Sequence, residues 1–345
     1  ILVTLADRSS CHCAVGQHRL LSLHSITVTV LQGSANPQPN RKPRSETAMK
    51  YYLKANESLP KGIDRIISNL LDKSYKLLTD NEETPDIAVH EVRRYASKLR
   101  ALLRLLAPGM SRKVFRHSDR ALRDFARQLN ATRESAMLLA SLNRVRQYYK
   151  PFLDDSATAP VFEELVRRHE AAMRQHQENI DIAGIEDQLQ HIATQLGELD
   201  RFDFSLDTLL TSLEQSYCNG RRSLKALRKS ATAGRRNEFR KQVKRLRYQL
   251  RLMHQWNPER LMPVIQGLDE VTELLNKEHD LGGLIETLPS IETTRDSPAR
   301  TELLESLAET RRNDLLEQAL RLGDELYSRK TGKFMAWFKA AKLEH

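Results

Sequence analysis

The chain has 345 residues and carries 55 Lys and Arg against 45 Asp and Glu, a formal net charge of +10. Its 13 Gly and 12 Pro are few for this length, and aromatic residues are only 6%. With Leu, Arg, Lys, Glu, Gln and Ala dominant, that excludes a β-sandwich, a barrel and a glycine-rich phosphate-loop enzyme, while 40% hydrophobic residues exclude global disorder.

The chain opens on a stretch unlike the rest. Cys11-His12-Cys13 has the look of a metal fragment, but no second ligand pair follows at zinc-site spacing. Ala14–Leu31 is apolar in part, yet Gln17, His18, Arg19 and His24 interrupt it too often for a membrane span or a secretory signal. Gln32–Ala48 is rich in Pro, Ser and Asn and reads as disordered. Residues 1–48 are therefore expected to be an extension of little structural role, with Met49 near the natural start. The third cysteine, Cys218, stands alone in a helical pattern, so no disulfide framework exists and a reducing, cytoplasmic compartment is expected.

Beyond Met49 the pattern predicts helix after helix. Ile63, Ile66, Ile67, Leu70, Leu71, Leu77 and Leu78 recur near the helical period within Leu59–Leu78. Thr84-Pro85-Asp86 opens the next helix, which runs to Ala107 before Pro108-Gly109. Further helices are expected at 111–129, 132–149, 157–178 and 182–197, then at 204–230, 236–255, 259–277, 279–287, 298–328 and 333–341. No alternating strand pattern follows Met49, and the fold class is all-α. Leu343-Glu344-His345 reads as a probable tag remnant.

An internal repeat runs through this series. His90-Glu91-Val92-Arg93-Arg94-Tyr95-Ala96-Ser97-Lys98-Leu99-Arg100 aligns with Asn237-Glu238-Phe239-Arg240-Lys241-Gln242-Val243-Lys244-Arg245-Leu246-Arg247, and Leu103-Arg104-Leu105 with Leu250-Arg251-Leu252. Two homologous halves are predicted, 50–198 and 199–342.

On a helical projection Val89, Val92, Ala96, Leu99, Leu103 and Leu106 form one apolar stripe, and Phe239, Val243, Leu246, Leu250 and Met253 its counterpart. Beside the stripes run His90, Arg93, Ser97, Arg100 and Arg104, and Asn237, Arg240, Lys244, Arg247 and Arg251. A solvated face usually mixes charge signs at i,i+4, whereas these shoulders carry almost no acid. An anionic ligand is the simplest compensation for such stacked cations.

These residues resemble the CHAD domain, the conserved-histidine α-helical family. His90, Arg93, Lys98, Leu99 and Arg100 follow its pattern in the first copy. Arg240, Lys244, Arg245, Leu246, Arg247 and Tyr248 follow it in the second, with Asn237 at the histidine place. Arg133-Glu134 and His279-Asp280 are similar to the family's turns after the third helix. The resemblance implies two four-helix bundles related by a pseudo-twofold, with a central basic groove that binds inorganic polyphosphate. It implies no catalysis, no cofactor and no membrane, and a link to polyphosphate granules and their proteins. The groove would be lined by His90, Arg93, Arg94, Lys98, Arg100, Arg104, Arg221, Arg222, Lys225, Arg240, Lys241, Lys244, Arg245 and Arg247. Lys73, Lys76, Arg120, Arg123 and Arg127 are further candidate walls.

Other readings are weighed on the same residues. His169-Glu170 opens like a zinc-protease motif, but the second histidine place holds Met173. His279-Asp280 could form an acid–base pair, although a capping role in a turn explains it more simply. No serine elbow or phosphate-loop glycine pattern is present. Nucleic-acid binding is the alternative that the basic charge supports, and a purely structural scaffold is the third reading.

Overall fold

The computed structural model describes residues 51–54, 56–79, 85–129, 131–153, 155–179, 182–197, 204–291 and 298–343. Among them are eleven α-helices and no strand. In chain order these are α1 (Leu59–Thr79), α2 (Pro85–Leu106), α3 (Arg112–Gln128), α4 (Ala131–Tyr148), α5 (Asp155–Asn179), α6 (Ile182–Gly197), α7 (Leu206–Lys229), α8 (Ala233–Met253), α9 (Pro258–Thr287), α10 (Pro298–Leu326) and α11 (Thr331–Leu343). The expected readings of residues 1–48, of Met49 as the natural start and of Glu344-His345 lie outside the described residues.

Local chemistry sets the helix ends. The hydroxyls of Ser111, Ser205 and Thr232 accept from the backbone N–H of Val114, Thr208 and Arg235, and the Asn257 side chain accepts from Arg260. Each satisfies a donor that the first helical turn leaves open. Pro258 adds a pre-set φ at the start of α9. The chain leaves α2 through a 3₁₀ turn at Ala107–Gly109, where Pro108 ends the α-helical ladder.

Helix α1 packs on α2 and α6, and α3 packs on the same two, so these four helices close a ring of contacts. Helices α7, α8, α9 and α10 close a second ring in that order. The α4–α5 hairpin lies across α9 and α10. Its Leu139, Leu142, Val145, Val161 and Leu165 share one apolar core with Leu281, Leu284, Leu304, Ala308 and Leu315. Helix α2 lies against both α7 and α8, and α11 closes over α7. No described helix is long and apolar enough to cross a membrane.

One expected break is absent. Residues 259–277 and 279–287 form a single helix, α9, so His279 and Asp280 lie within it rather than in a turn. Nothing between Asn276 and Leu281 forces a break, because that stretch has neither Gly nor Pro. Buried Leu275, Leu281 and Leu284 carry the apolar face through it.

Gly220 on α7 is a close-approach position, since a Cβ there would run into the ring of Tyr327. Gly220→Ala is expected to lower stability by about 1–3 kcal/mol in urea unfolding. Gly234→Ala, where nothing lies within 4 Å, should be neutral or slightly stabilising. Equal effects at the two positions would contradict this packing.

Candidate functional site

The two repeated helices bury the stripes read from the sequence. Val89, Val92, Ala96, Leu99, Leu103 and Leu106 on α2, and Phe239, Val243, Leu246, Leu250 and Met253 on α8, are each at most 2% exposed. Gln249 donates from Nε2 to the Ala101 carbonyl at 3.4 Å, tying α8 to α2. The Tyr51 hydroxyl donates to the Lys98 carbonyl at 3.1 Å, and its ring meets Tyr248 edge-on. The shoulders beside the stripes are thereby fixed relative to each other.

Each cationic row divides into two ends with different chemistry. At the C-terminal end of α2, Arg100 Nε lies 3.0 Å from Asp119 Oδ1 and Arg104 Nη2 lies 3.2 Å from Asp119 Oδ2. At the matching end of α8, Arg247 Nε lies 2.5 Å from Asp269 Oδ1 and Arg251 Nη2 lies 2.7 Å from Asp269 Oδ2. The shoulders themselves are poor in acid, as the sequence indicates, but α3 and α9 supply the missing carboxylates. Burial raises the Asp119 pKa, yet the hydrogen bond from Arg100 and the charges of Arg100 and Arg104 outweigh it, and the net shift is downward. Arg100, Arg104 and Arg247 are therefore clamps on acids before they are contacts for any ligand.

The N-terminal ends differ. There His90 and Arg93 of α2 meet Arg240 and Lys244 of α8, with Arg133 of α4 and His279 and Asp280 of α9. The proximity is visible in how their charges act on one another. Desolvation and the charge of Arg133 lower the Arg93 pKa to about 10, with Arg240 adding to the effect and Glu134 opposing it. Desolvation lowers Lys244 to about 7, reinforced by Arg240, Arg133 and Arg247 against Asp280. His279 falls to about 4 through desolvation and the charges of Arg240, Arg133, Lys244 and Arg312. Desolvation and Arg133 likewise lower His90, with Arg94 and Lys244 contributing and Glu91 opposing.

Of the nearby carboxylates, Glu134 is exposed beside Arg93, and the two on α9 are already engaged. Glu278, 2% exposed, accepts from Arg236 Nη1 at 3.1 Å and Arg312 Nε at 2.9 Å. Asp280 accepts from Arg144 Nη2 at 3.3 Å. Burial raises the Asp280 pKa in spite of Arg144, Arg133 and Arg240. Among the described residues neither Arg133 nor Lys244 forms an ion pair. Arg240 donates to the side-chain oxygens of Asn237 and Asn276 at 3.0 and 3.4 Å, and its buried Nε has no acceptor. The cluster therefore holds more cation than carboxylate, a costly arrangement in a desolvated place unless an anion joins it.

Arg94 pairs with Glu91, and Arg245 donates to Gln242 Oε1 at 2.9 Å. Desolvation and the charge of Arg104 lower Arg245 to about 10. Lys98 is 4% exposed, its ammonium 5.0 Å from the Tyr51 ring and 5.8 Å from the Tyr95 ring, a packed cation–π setting rather than an open wall. Lys241 is exposed on α8. Arg221, Arg222 and Lys225 lie elsewhere, at the α7–α10 edge of the second ring, whereas the cluster lies at its α8–α9 edge. Arg123 and Arg127 flank Asp124. The His169 Nδ1 hydrogen-bonds Ser135 Oγ at 2.9 Å. No group of three or more His, Cys, Asp or Glu among the described residues could hold a metal ion.

Sequence reasoning passed over Asp119, Asp269, Arg144, Arg236, Glu278 and Arg312, and noted Arg133 only as part of a turn. The arginine pairs recur 147 residues apart, whereas Asp119 and Asp269 are 150 apart, so a gapless alignment hides the second clamp.

A family model for the CHAD domain matches residues 63–289. Among solved structures, the crystal structure of the CHAD domain from the plant Ricinus communis is similar, with a TM-score of 0.56 and 16% identity over 81% of this chain and 94% of that one. PptA from Streptomyces chartreusis is similar at a TM-score of 0.54 and 15% identity, over 78% of this chain and 99% of that one. At these identities the likeness is one of fold. No curated protein matches the chain.

The state of Lys244 gives a pH test. Its folded pKa of about 7 lies below the unfolded value near 10.5, so between those values the unfolded chain binds more protons and stability rises with pH. Stability of the ligand-free protein is expected to increase by about 1–2 kcal/mol from pH 7 to pH 9, and Lys244→Gln should remove that rise. A flat or falling profile in the unsubstituted protein would show that Lys244 is not desolvated among cations.

Proposed function

Because the family model spans residues 63–289, the chain belongs to the CHAD-domain family, and on that premise we propose that it binds inorganic polyphosphate, without turnover, at the cluster joining α2, α8, α4 and α9. The observation that carries this reading is the excess of cation over carboxylate at Arg133, Arg240 and Lys244, where, among the described residues, Arg133 and Lys244 form no ion pair and Arg240 meets only the side chains of Asn237 and Asn276. Desolvation lowers Arg240 too, in spite of the opposing charge of Asp280. A polyanion would restore the charge balance and raise these pKa values again.

Polyphosphate suits the chemistry of the cluster. It is a flexible chain of repeated negative charge with no base to read, and arginine forks pair two phosphate oxygens at once. Of the aromatic rings beside the cationic rows, Tyr95 and Tyr248 are 7% and 4% exposed and the Arg104 guanidinium lies over the Phe115 ring, so none offers an open stacking platform for a nucleobase. The non-catalytic reading rests on the groups gathered there: cations, amides, two histidines whose surroundings favour the neutral ring, and an Asp280 carboxylate already held by Arg144. In this reading the halves 50–198 and 199–342 are related by a pseudo-twofold, the clamps on Asp119 and Asp269 hold the rows in place, and the protein associates with polyphosphate granules.

The test is competition between labelled long-chain polyphosphate and duplex or single-stranded nucleic acid at fixed salt. Polyphosphate is expected to win at equal phosphate concentration. The variant Arg133→Gln, Arg240→Gln, Lys244→Gln should reduce the slope of log affinity against log salt by about 2, because three fewer phosphates are neutralised. Unchanged binding in that folded variant, or displacement of polyphosphate by nucleic acid, would overturn the reading.

A further inference from the structure

Arg221, Arg222 and Lys225 belong to a groove of about 590 Å³ between α7 and the end of α10, where Arg228 and Lys229 complete a five-cation row facing Asp324. We propose that this groove is a second, separate binding surface for a phosphate chain, so that one molecule engages two stretches of polyphosphate. The inference rests on the ligand class argued above and adds a site that the α2–α8 cluster does not contain.

Placement separates the two surfaces. Helices α7, α8, α9 and α10 contact one another in a ring, with α7 closing against α10. The Arg240–Asn276 contact and the Asp269 clamp mark the α8–α9 edge, whereas the groove marks the opposite α7–α10 edge. A ligand bound at one edge leaves the other accessible.

The groove's charge is unbalanced in its own right. Arg228 is held by Asp324, with Nε 3.1 Å from Oδ1, and by the Leu320 carbonyl at 3.4 Å. Arg221 donates from Nε to the Tyr327 carbonyl at 3.1 Å, which anchors its guanidinium while its two terminal amino groups meet no acceptor among the described residues. Arg222, Lys225 and Lys229 are exposed and form no ion pair with a described carboxylate. From Arg221 to Lys229 the row runs about 12 Å along the helix. An anchored fork with further cations beside it matches a run of successive phosphates. Tyr327 is 3% exposed, so no aromatic face is offered to a base, which favours a phosphate chain over nucleic acid.

Two surfaces on one molecule make affinity depend on chain length, since a long chain engaged at one edge reaches the other at high effective concentration. The experiment titrates size-fractionated short-chain and long-chain polyphosphate into the full protein, into Arg222→Gln, Lys225→Gln, Lys229→Gln, and into Arg133→Gln, Arg240→Gln, Lys244→Gln. The first set of side chains is exposed, so the groove variant should show an unchanged circular-dichroism melt. Short chains are expected to bind the unsubstituted protein at two sites and each variant at one. Long chains should bind the groove variant about tenfold more weakly at low salt, with the salt slope reduced by about 2. One site in the unsubstituted protein, or two retained in the groove variant, overturns the second surface and leaves the cluster standing. Failure of polyphosphate to bind anywhere removes both proposals. In a parallel titration with duplex DNA, weaker DNA binding by the groove variant with polyphosphate binding unchanged would overturn the ligand assigned to it.

Discussion

Asp119 and Asp269 each sit between two arginines that project one helical turn apart from a neighbouring helix. Without its carboxylate, each helix would carry two guanidiniums stacked one turn apart with no counter-charge, and like charges in a partly dry interface repel far more strongly than in water. The clamps convert that repulsion into charge-assisted bonds between α2 and α3 and between α8 and α9. Because they are made at one end of each row, they also fix the direction in which the other end projects.

That other end is left in cationic excess. Glu278 is engaged by Arg236 and Arg312, and Asp280 by Arg144. These pairs hold α8, α9, α10 and α4 together around the cluster and leave Arg133 and Lys244 without an ion pair among the described residues. The cluster is thus built on a frame whose carboxylates are all engaged, and it adds further positive charge to a frame already rich in arginine. Such an arrangement costs stability in the free protein and favours any ligand that brings negative charge, the opposition between folding and binding common at functional sites.

Much of this was legible in the sequence. The all-α class, most helix boundaries and the two apolar stripes follow from a 3.6-residue period uninterrupted by strands, and the repeat exposes the paired rows. What was hidden depends on contacts between distant segments. Asp269 is displaced by three residues from the place the repeat assigns it, and Glu278 gains meaning only when Arg236 and Arg312 converge on it from two other helices. Lys98 reads as a wall residue because Tyr51, which covers it, lies outside any helical pattern. The continuity of α9 was missed because the first half does break between α3 and α4, at the corresponding place.

The α2–α8 cluster, a desolvated excess of cation, should be relieved by an arriving anion. Proton uptake on binding tests that relief most directly, measured by titration calorimetry with polyphosphate at pH 8 in buffers of different ionisation enthalpy. Lys244, with a pKa of about 7, is largely neutral there, so an arriving polyanion should draw about one proton onto the protein. Lys244→Gln should abolish that uptake while polyphosphate still binds. Tight binding with no proton uptake, identical in the two proteins, would contradict the account.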